Sequence, residues 1–209
     1  MVERVVLAGE VATLRPMTID DVAALVVAAD EDRSTYGFTA VPDGEAAMRA
    51  YVEAVLADER TGWALPFVTT LTDGGRVVGS TRFLDLDDWR TERRVGGPPV
   101  GAVGTPRTAE IGATWLAASA QRTAVNTEAK LLMLRHAFDT WDVERITFKT
   151  DARNARSRAA IERVGAQFEG IRRAHVRASD GGVRDTAYYS IVRDEWPDVR
   201  AGLHARLAS

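Results

Sequence analysis

Cysteine is absent from the 209 residues, which excludes disulfide staples, a thiolate nucleophile and sulfur-ligated metal sites. Histidine is nearly as scarce. His136, His175 and His204 show no metal-ligand spacing, and no serine stands with a histidine and an aspartate in a recognisable catalytic order, so no metal is expected. Long apolar runs are missing too: none approaches the ~20 residues of a membrane span, and no basic N-terminal segment leads into an apolar one. These gaps predict a soluble, cytoplasmic protein without a membrane partner. Positive charge is not in excess, and a net charge of −3 argues against nucleic acid as the partner, because duplex binders carry a basic face. Neither GxGxxG nor a GxxxxGK phosphate loop occurs, which makes an ordinary nucleotide-binding protein a weak reading.

What the chain does hold is an apolar share of 45%, ample for one core in one domain spanning 1–209. Its charge is uneven. Arg145, Lys149, Arg153, Arg156, Arg158 and further arginines crowd the second half, while Asp20, Asp21, Asp30, Glu31, Asp32 and further acids dominate the first. Such asymmetry suits an anionic ligand on one side and a cationic one on the other, although solvated helix and strand faces account for most of these charges.

Residues 11–17 read as a short strand, with Thr18 placed to cap a helix from Ile19 that carries Val22, Leu25, Val26 and Ala29 on one face. A loop with Tyr36 and Phe38 leads to a second helix near Asp43, presenting Met48, Tyr51, Val52 and Leu56. Strands 63–71 and 77–86 flank a hairpin turn around Gly74 and Gly75. The pattern then collapses over 87–107, a Gly/Pro-rich stretch with Trp89 that reads as a substrate-side flap or dimer arm. The centre of the chain follows: a strand at 108–116, a polar turn at 119–126, a helix at 127–141, a strand at 145–150 and a helix opening at Asn154. A second hairpin, 166–176 with 184–192, and a helical tail at 194–209 complete it. This order predicts an α/β (α+β) fold, a mixed sheet flanked by helices on both faces. The central unit is βαβ, and its first helix exposes unpaired backbone N–H groups at the positive end of its dipole. The turn from Gln121 to Asn126 is therefore a candidate phosphate cradle.

Three stretches of this centre carry a resemblance: Ala109-Glu110-Ile111-Gly112-Ala113-Thr114-Trp115-Leu116, Gln121-Arg122-Thr123-Ala124-Val125-Asn126, and Asp151-Ala152-Arg153-Asn154-Ala155-Arg156-Ser157, the last followed by Val164-Gly165-Ala166. In order and spacing they resemble the GNAT acetyltransferase superfamily, in the branch that includes ribosomal-protein N-terminal acetyltransferases. The resemblance implies acetyl-CoA as co-substrate and an amine acceptor, either a small molecule or a protein N-terminus, with a homodimer as a further possibility. It implies that backbone groups at Thr114, Trp115 and Leu116 hold the pantetheine arm, that amides from Gln121, Arg122, Thr123, Ala124, Val125, Asn126 and Thr127 take the pyrophosphate, and that Asn154 binds the pantetheine or nucleotide side.

Glu110 is the candidate base, since a half-buried carboxylate has its pKa raised toward a useful range. A surface glutamate paired with a cation is the plainer alternative. Ser157, one turn beyond Asn154, is the candidate proton relay to the departing sulfur, and Asn154 doubles as an N-cap candidate. Two departures stand out. The phosphate turn has Arg122, Ala124 and Asn126 where the family has glycines, so backbone freedom at positive φ is lost, and Arg122 is the residue that can compensate by contacting phosphate directly. Ile161 stands where many relatives have an acidic tyrosine; Tyr188 or Tyr189 is an alternative acid. The competing reading is a non-catalytic acyl-CoA-binding or sensing module with a degenerate loop.

Overall fold

The computed structural model describes residues 2–88 and 105–208, so most of the expected flap, Trp89 included, lies outside the described residues. Among the described residues eight strands form one sheet: β1 (Leu7–Ala8), β2 (Ala12–Pro16), β3 (Leu65–Leu71), β4 (Val77–Asp87), β5 (Thr108–Leu116), β6 (Arg145–Asp151), β7 (Gln167–Arg177) and β8 (Val183–Val192). Their spatial order is β1-β2-β3-β4-β5-β6-β8-β7. Every neighbouring pair is antiparallel except β5 with β6. The mixed sheet expected from the element order is thus present, together with a short first strand that the sequence did not announce. That strand turns into β2 over an unusual support: the buried Glu128 carboxylate accepts from the N–H groups of Glu10, Val11 and Ala12 at 2.9, 2.7 and 2.6 Å.

The α-helices among the described residues are α1 (Val22–Ala29), α2 (Gly44–Arg60), α3 (Ala124–Arg135), α4 (Ala155–Val164) and α5 (Trp196–Leu207). Apolar side chains divide into two clusters, one on each face of the sheet. Met48, Val52 and Leu25 from α1 and α2 pack with Val68, Val78 and Trp115 on one face; Leu132, Met133, Ile161 and Leu203 from α3, α4 and α5 pack with Phe67, Phe83, Ile111 and Phe148 on the other. Helix α3 is buried nearly all round, between the sheet and α5. Its bounds differ from the sequence expectation. It begins at Ala124 rather than residue 127, because the Thr123 hydroxyl accepts from Val125 N–H at 3.3 Å and caps it there. It ends at Arg135, and a π-turn over His136–Thr140 carries the chain on instead of regular helix.

One irregularity positions the site. Between β4 and β5, Ser80 pairs with Trp115 and Arg82 with Gly112, so Thr81 stands opposite two residues, Ala113 and Thr114. This β-bulge forces Ala113 to φ 48°, a left-handed conformation that costs a non-glycine residue roughly 1 kcal/mol or more. It also shifts the pleat: Ile111 and Trp115, four residues apart, would share a face in a regular strand, yet they lie in opposite cores.

Candidate active site

Strands β5 and β6 pair only at their start, Thr108 with Arg145, Ala109 with Ile146 and Glu110 with Thr147. Beyond Glu110 each keeps its outer neighbour, β5 with β4 as far as Leu116 and β6 with β8 as far as Asp151, but not the other. The sheet therefore splits, and the inner edges of 111–116 and 148–151 face a cleft without pairing to each other. Backbone groups on a split edge of this kind can pair with an extended ligand.

Alternation decides which residues of β5 face that ligand. Ala117 N–H donates to Val78 O of β4 at 2.7 Å. Trp115 points its backbone the same way: a Cβ added at Gly79 (φ +152°) would lie 2.1 Å from its carbonyl, so only glycine fits there. Thr114 and Leu116 then turn toward the cleft. The expectation for the backbone of Trp115 is corrected accordingly; its side chain is buried against Tyr36, ring edge to face with centroids 6.1 Å apart.

At the mouth of the split lies the N-terminus of α3, and here the sequence-predicted cradle narrows. The left-handed position in the turn is Arg122, at φ 61°, while Ala124 and Asn126 sit in helical backbone; the missing glycines are thus required at one position, not three. Val125 N–H is consumed by the cap, and the amide of Thr127 falls where hydrogen bonding back within the helix begins, so both are corrected as phosphate donors. Gln121 is occupied as well: its N–H bonds to Ala117 O, and its side-chain amide donates to Leu116 O and to Thr35 Oγ1, each at 2.9 Å. Thr123 spends its hydroxyl on the cap and on Ala120 O. The amides of Arg122, Thr123, Ala124 and Asn126 and the exposed side chain of Arg122, which has no ion pair among the described residues, are left for an anion.

The far bank is the start of α4. Asn154, buried, accepts from Ser157 N–H at 3.0 Å through Oδ1, which makes it the N-cap and leaves its NH2 for a ligand. The Ser157 hydroxyl is half-buried and has no partner among the described residues. The other arginines considered for phosphate are engaged within the protein. Arg153 pairs with Asp151 and Asp180, both at 2.8 Å, Arg158 donates to Tyr189 Oη at 2.8 Å, and Arg156 donates to Thr35 O. The segment around Thr35 therefore bridges the two banks.

At the apex of the split Glu110 is buried, with Lys149 Nζ 2.5 Å from its carboxylate and Asp85 3.0 Å from the same ammonium. They line an open pocket of about 210 Å³ with Thr108, Arg145, Thr147 and Tyr188. Burial raises the pKa of Glu110, with Asp85 adding to it, and Lys149 pulls it back only in part. Burial likewise works against the Lys149 ammonium, but Glu110 and Asp85 together overcome it and hold that pKa above the ordinary lysine value. Glu110 departs from both sequence alternatives in one respect each: it is buried rather than half-buried, and its cation pair lies inside rather than at the surface. Tyr188 faces this pocket, its hydroxyl 3.3 Å from His175, whereas Tyr189 points into the core toward Arg158 and Glu162. Ile161 is core. Sequence reasoning missed Asp85 and Lys149 as site residues. Lys149 was signalled by the polar alternation Arg145, Thr147, Lys149 along β6; Asp85 carried no signal, because its own backbone is left-handed (φ 48°) and breaks the strand pattern.

A split sheet with a helix N-terminus at its mouth is where the comparisons with known proteins bear. The family model for the acetyltransferase (GNAT) domain matches residues 12–167. The chain belongs to the GNAT acetyltransferase family. Acetyl transfer from acetyl-CoA is the chemistry of that family. Among solved structures, a candidate acetyltransferase of T. thermophilus superposes with TM-score 0.77 at 30% identity, over 99% of each chain. A GCN5-related N-acetyltransferase from Brucella melitensis gives 0.79 at 25%, over 99% of this chain and 86% of that one. RimJ of Mycobacterium smegmatis, in complex with CoA-disulfide, gives 0.73 at 26%, over 96% and 91%. No curated protein matches the chain. Among the described residues no His, Asp or Glu cluster gathers as metal ligands, and no helix is long and apolar enough to cross a membrane.

Proposed function

We propose that this GNAT chain is an N-acetyltransferase that moves the acetyl group of acetyl-CoA to a primary amine by direct attack in a ternary complex. The observation that carries this reading is the split between β5 and β6, with a buried carboxylate at its apex and a helix N-terminus at its mouth. Acetyl-CoA, when bound, supplies an activated acyl group with a thiolate leaving group. Thr114 and Leu116 orient its arm by backbone pairing in the cleft, and the amides of Arg122, Thr123, Ala124 and Asn126 with the Arg122 guanidinium offset pyrophosphate charge. Asn154 adds a side-chain donor. Glu110 takes the proton that a primary amine must lose before attacking, directly or through water, and Ser157 relays a proton from solvent to the departing sulfur.

The acceptor is a protein N-terminus or a small cationic amine. The Asp85 and Glu110 carboxylates, both lining the pocket, suit an ammonium of either kind. Cytoplasmic residence and a homodimer belong to the same reading, supported by the cysteine-free composition and the long exposed edge strand β7. One observation favours the rival, a CoA-binding sensor: Lys149 already occupies the carboxylate that a base must leave open. Incubation of acetyl-CoA with a pool of free-amine peptides, polyamines and aminoglycosides separates the two, with mass spectrometry reading the pool. Acetylated product and intersecting initial-rate lines are expected; an unmodified pool with intact CoA binding supports the sensor.

The narrowed cradle makes a prediction of its own. Arg122→Ala is expected to weaken CoA binding about 10-fold, the scale of one charge-assisted contact to phosphate, and to reduce its salt dependence. Calorimetric titration at two ionic strengths checks both; unchanged affinity removes Arg122 from the phosphate site.

A further inference from the structure

Lys130 is buried, with 5% of its surface exposed, and has no part in the chemistry above. It rises from α3 toward the sheet, and its Nζ lies 2.7 Å from Thr114 Oγ1 and 3.1 Å from Thr81 Oγ1, while those two hydroxyls are 2.7 Å from each other. Among the described residues it has no carboxylate partner, and burial alone drives its ammonium's pKa down to about 7. A lysine placed there for stability would be a poor choice, since a buried cation with only neutral partners is poorly compensated for its lost hydration.

Its partners explain the placement. Thr81 is the residue of β4 that stands opposite two on β5, and Thr114 is one of those two. Lys130 therefore clamps both sides of the bulge that holds Ala113 in a left-handed conformation and turns Thr114 toward the cleft. Bulges bend the strand that carries them and re-aim its groups, but a strained one needs outside support. We infer that Lys130 is a positioning residue for acetyl transfer: through Thr114 and Thr81 it fixes the β5 bulge, and so the direction in which the strand's backbone donors meet the thioester carbonyl. This rests on the reading of the cleft as the acetyl-CoA site.

The test is Lys130→Met, which keeps the length and removes the amine, measured beside wild type with an accepted amine. A kcat loss of tenfold or more is expected, with CoA affinity within twofold of wild type and a Tm that does not fall, because the Thr81–Thr114 hydrogen bond survives and the buried cation is gone. A merely structural lysine gives a different pattern, a lower Tm with CoA affinity and kcat falling together, and that result overturns the inference. So does a kcat loss smaller than tenfold. Should Lys130→Met fail to fold, Thr81→Val removes the other hydroxyl that Lys130 holds and is held to the same kcat and affinity criteria. Wild-type chain that turns over no amine defeats the functional reading and the inference together; turnover that Lys130→Met leaves intact defeats the inference alone.

Discussion

Glu110→Gln is expected to lower kcat/KM at neutral pH by about 100-fold, the lower end of what a general base contributes and equivalent to about 2.7 kcal/mol of transition-state stabilisation. The substitution is nearly isosteric and removes only the charge. It also breaks the ion pair with Lys149, whose ammonium keeps Asp85 at 3.0 Å, so the pocket stays assembled. The pH dependence has a definite sign. A base works when deprotonated, so activity rises with pH through the pKa of Glu110. Because burial raises that pKa, the rising limb lies above the ordinary glutamate range. In Glu110→Gln that limb disappears. A variant with wild-type turnover and an unchanged profile would remove Glu110 from the mechanism.

The largest effect on stability is expected at Gly79→Ala. At φ +152° the backbone is in a region almost reserved for glycine, and the new methyl would sit 2.1 Å from the Trp115 carbonyl and 2.9 Å from Leu116 Cα. Strain of roughly 1–3 kcal/mol adds to a clash that must push β4 from β5, and a total of about 3–5 kcal/mol is expected. Urea unfolding measures it. The displaced segment is the one that faces the cleft, so CoA affinity falls with stability even though Gly79 does not line the cleft. A loss under about 1 kcal/mol would mean that β4 and β5 do not approach each other this closely.

Where the sequence was legible, simple periodicity carried it. The strands at 108–116 and 145–150, the two hairpins and the cap at Asn154 lie within a residue or two of their observed places, because alternation and capping act locally. The start of α3 was misplaced by three residues because Thr123 was not weighed as a cap against the polar run that follows it. The apparent want of glycine in the phosphate turn came from a family pattern rather than from backbone geometry, and Arg122 alone takes the left-handed position. Glu110 and Ser157 were nameable from the resemblance. Their surroundings were not: the Lys149–Asp85 contact joins strands 64 residues apart, and the clamp of Lys130 on Thr81 and Thr114 depends on a bulge that shifts the pleat. Non-local pairing and a one-residue change of phase leave no mark in a linear pattern.

The most direct measurement of the central claim is thiol release from acetyl-CoA by the purified chain, followed in the presence and absence of peptide N-termini, polyamines and aminoglycosides. The split-sheet site with a buried base predicts amine-dependent release with at least one of these classes, well above the rate with no amine added. Tight binding of CoA with release no faster in the presence of any amine would contradict it.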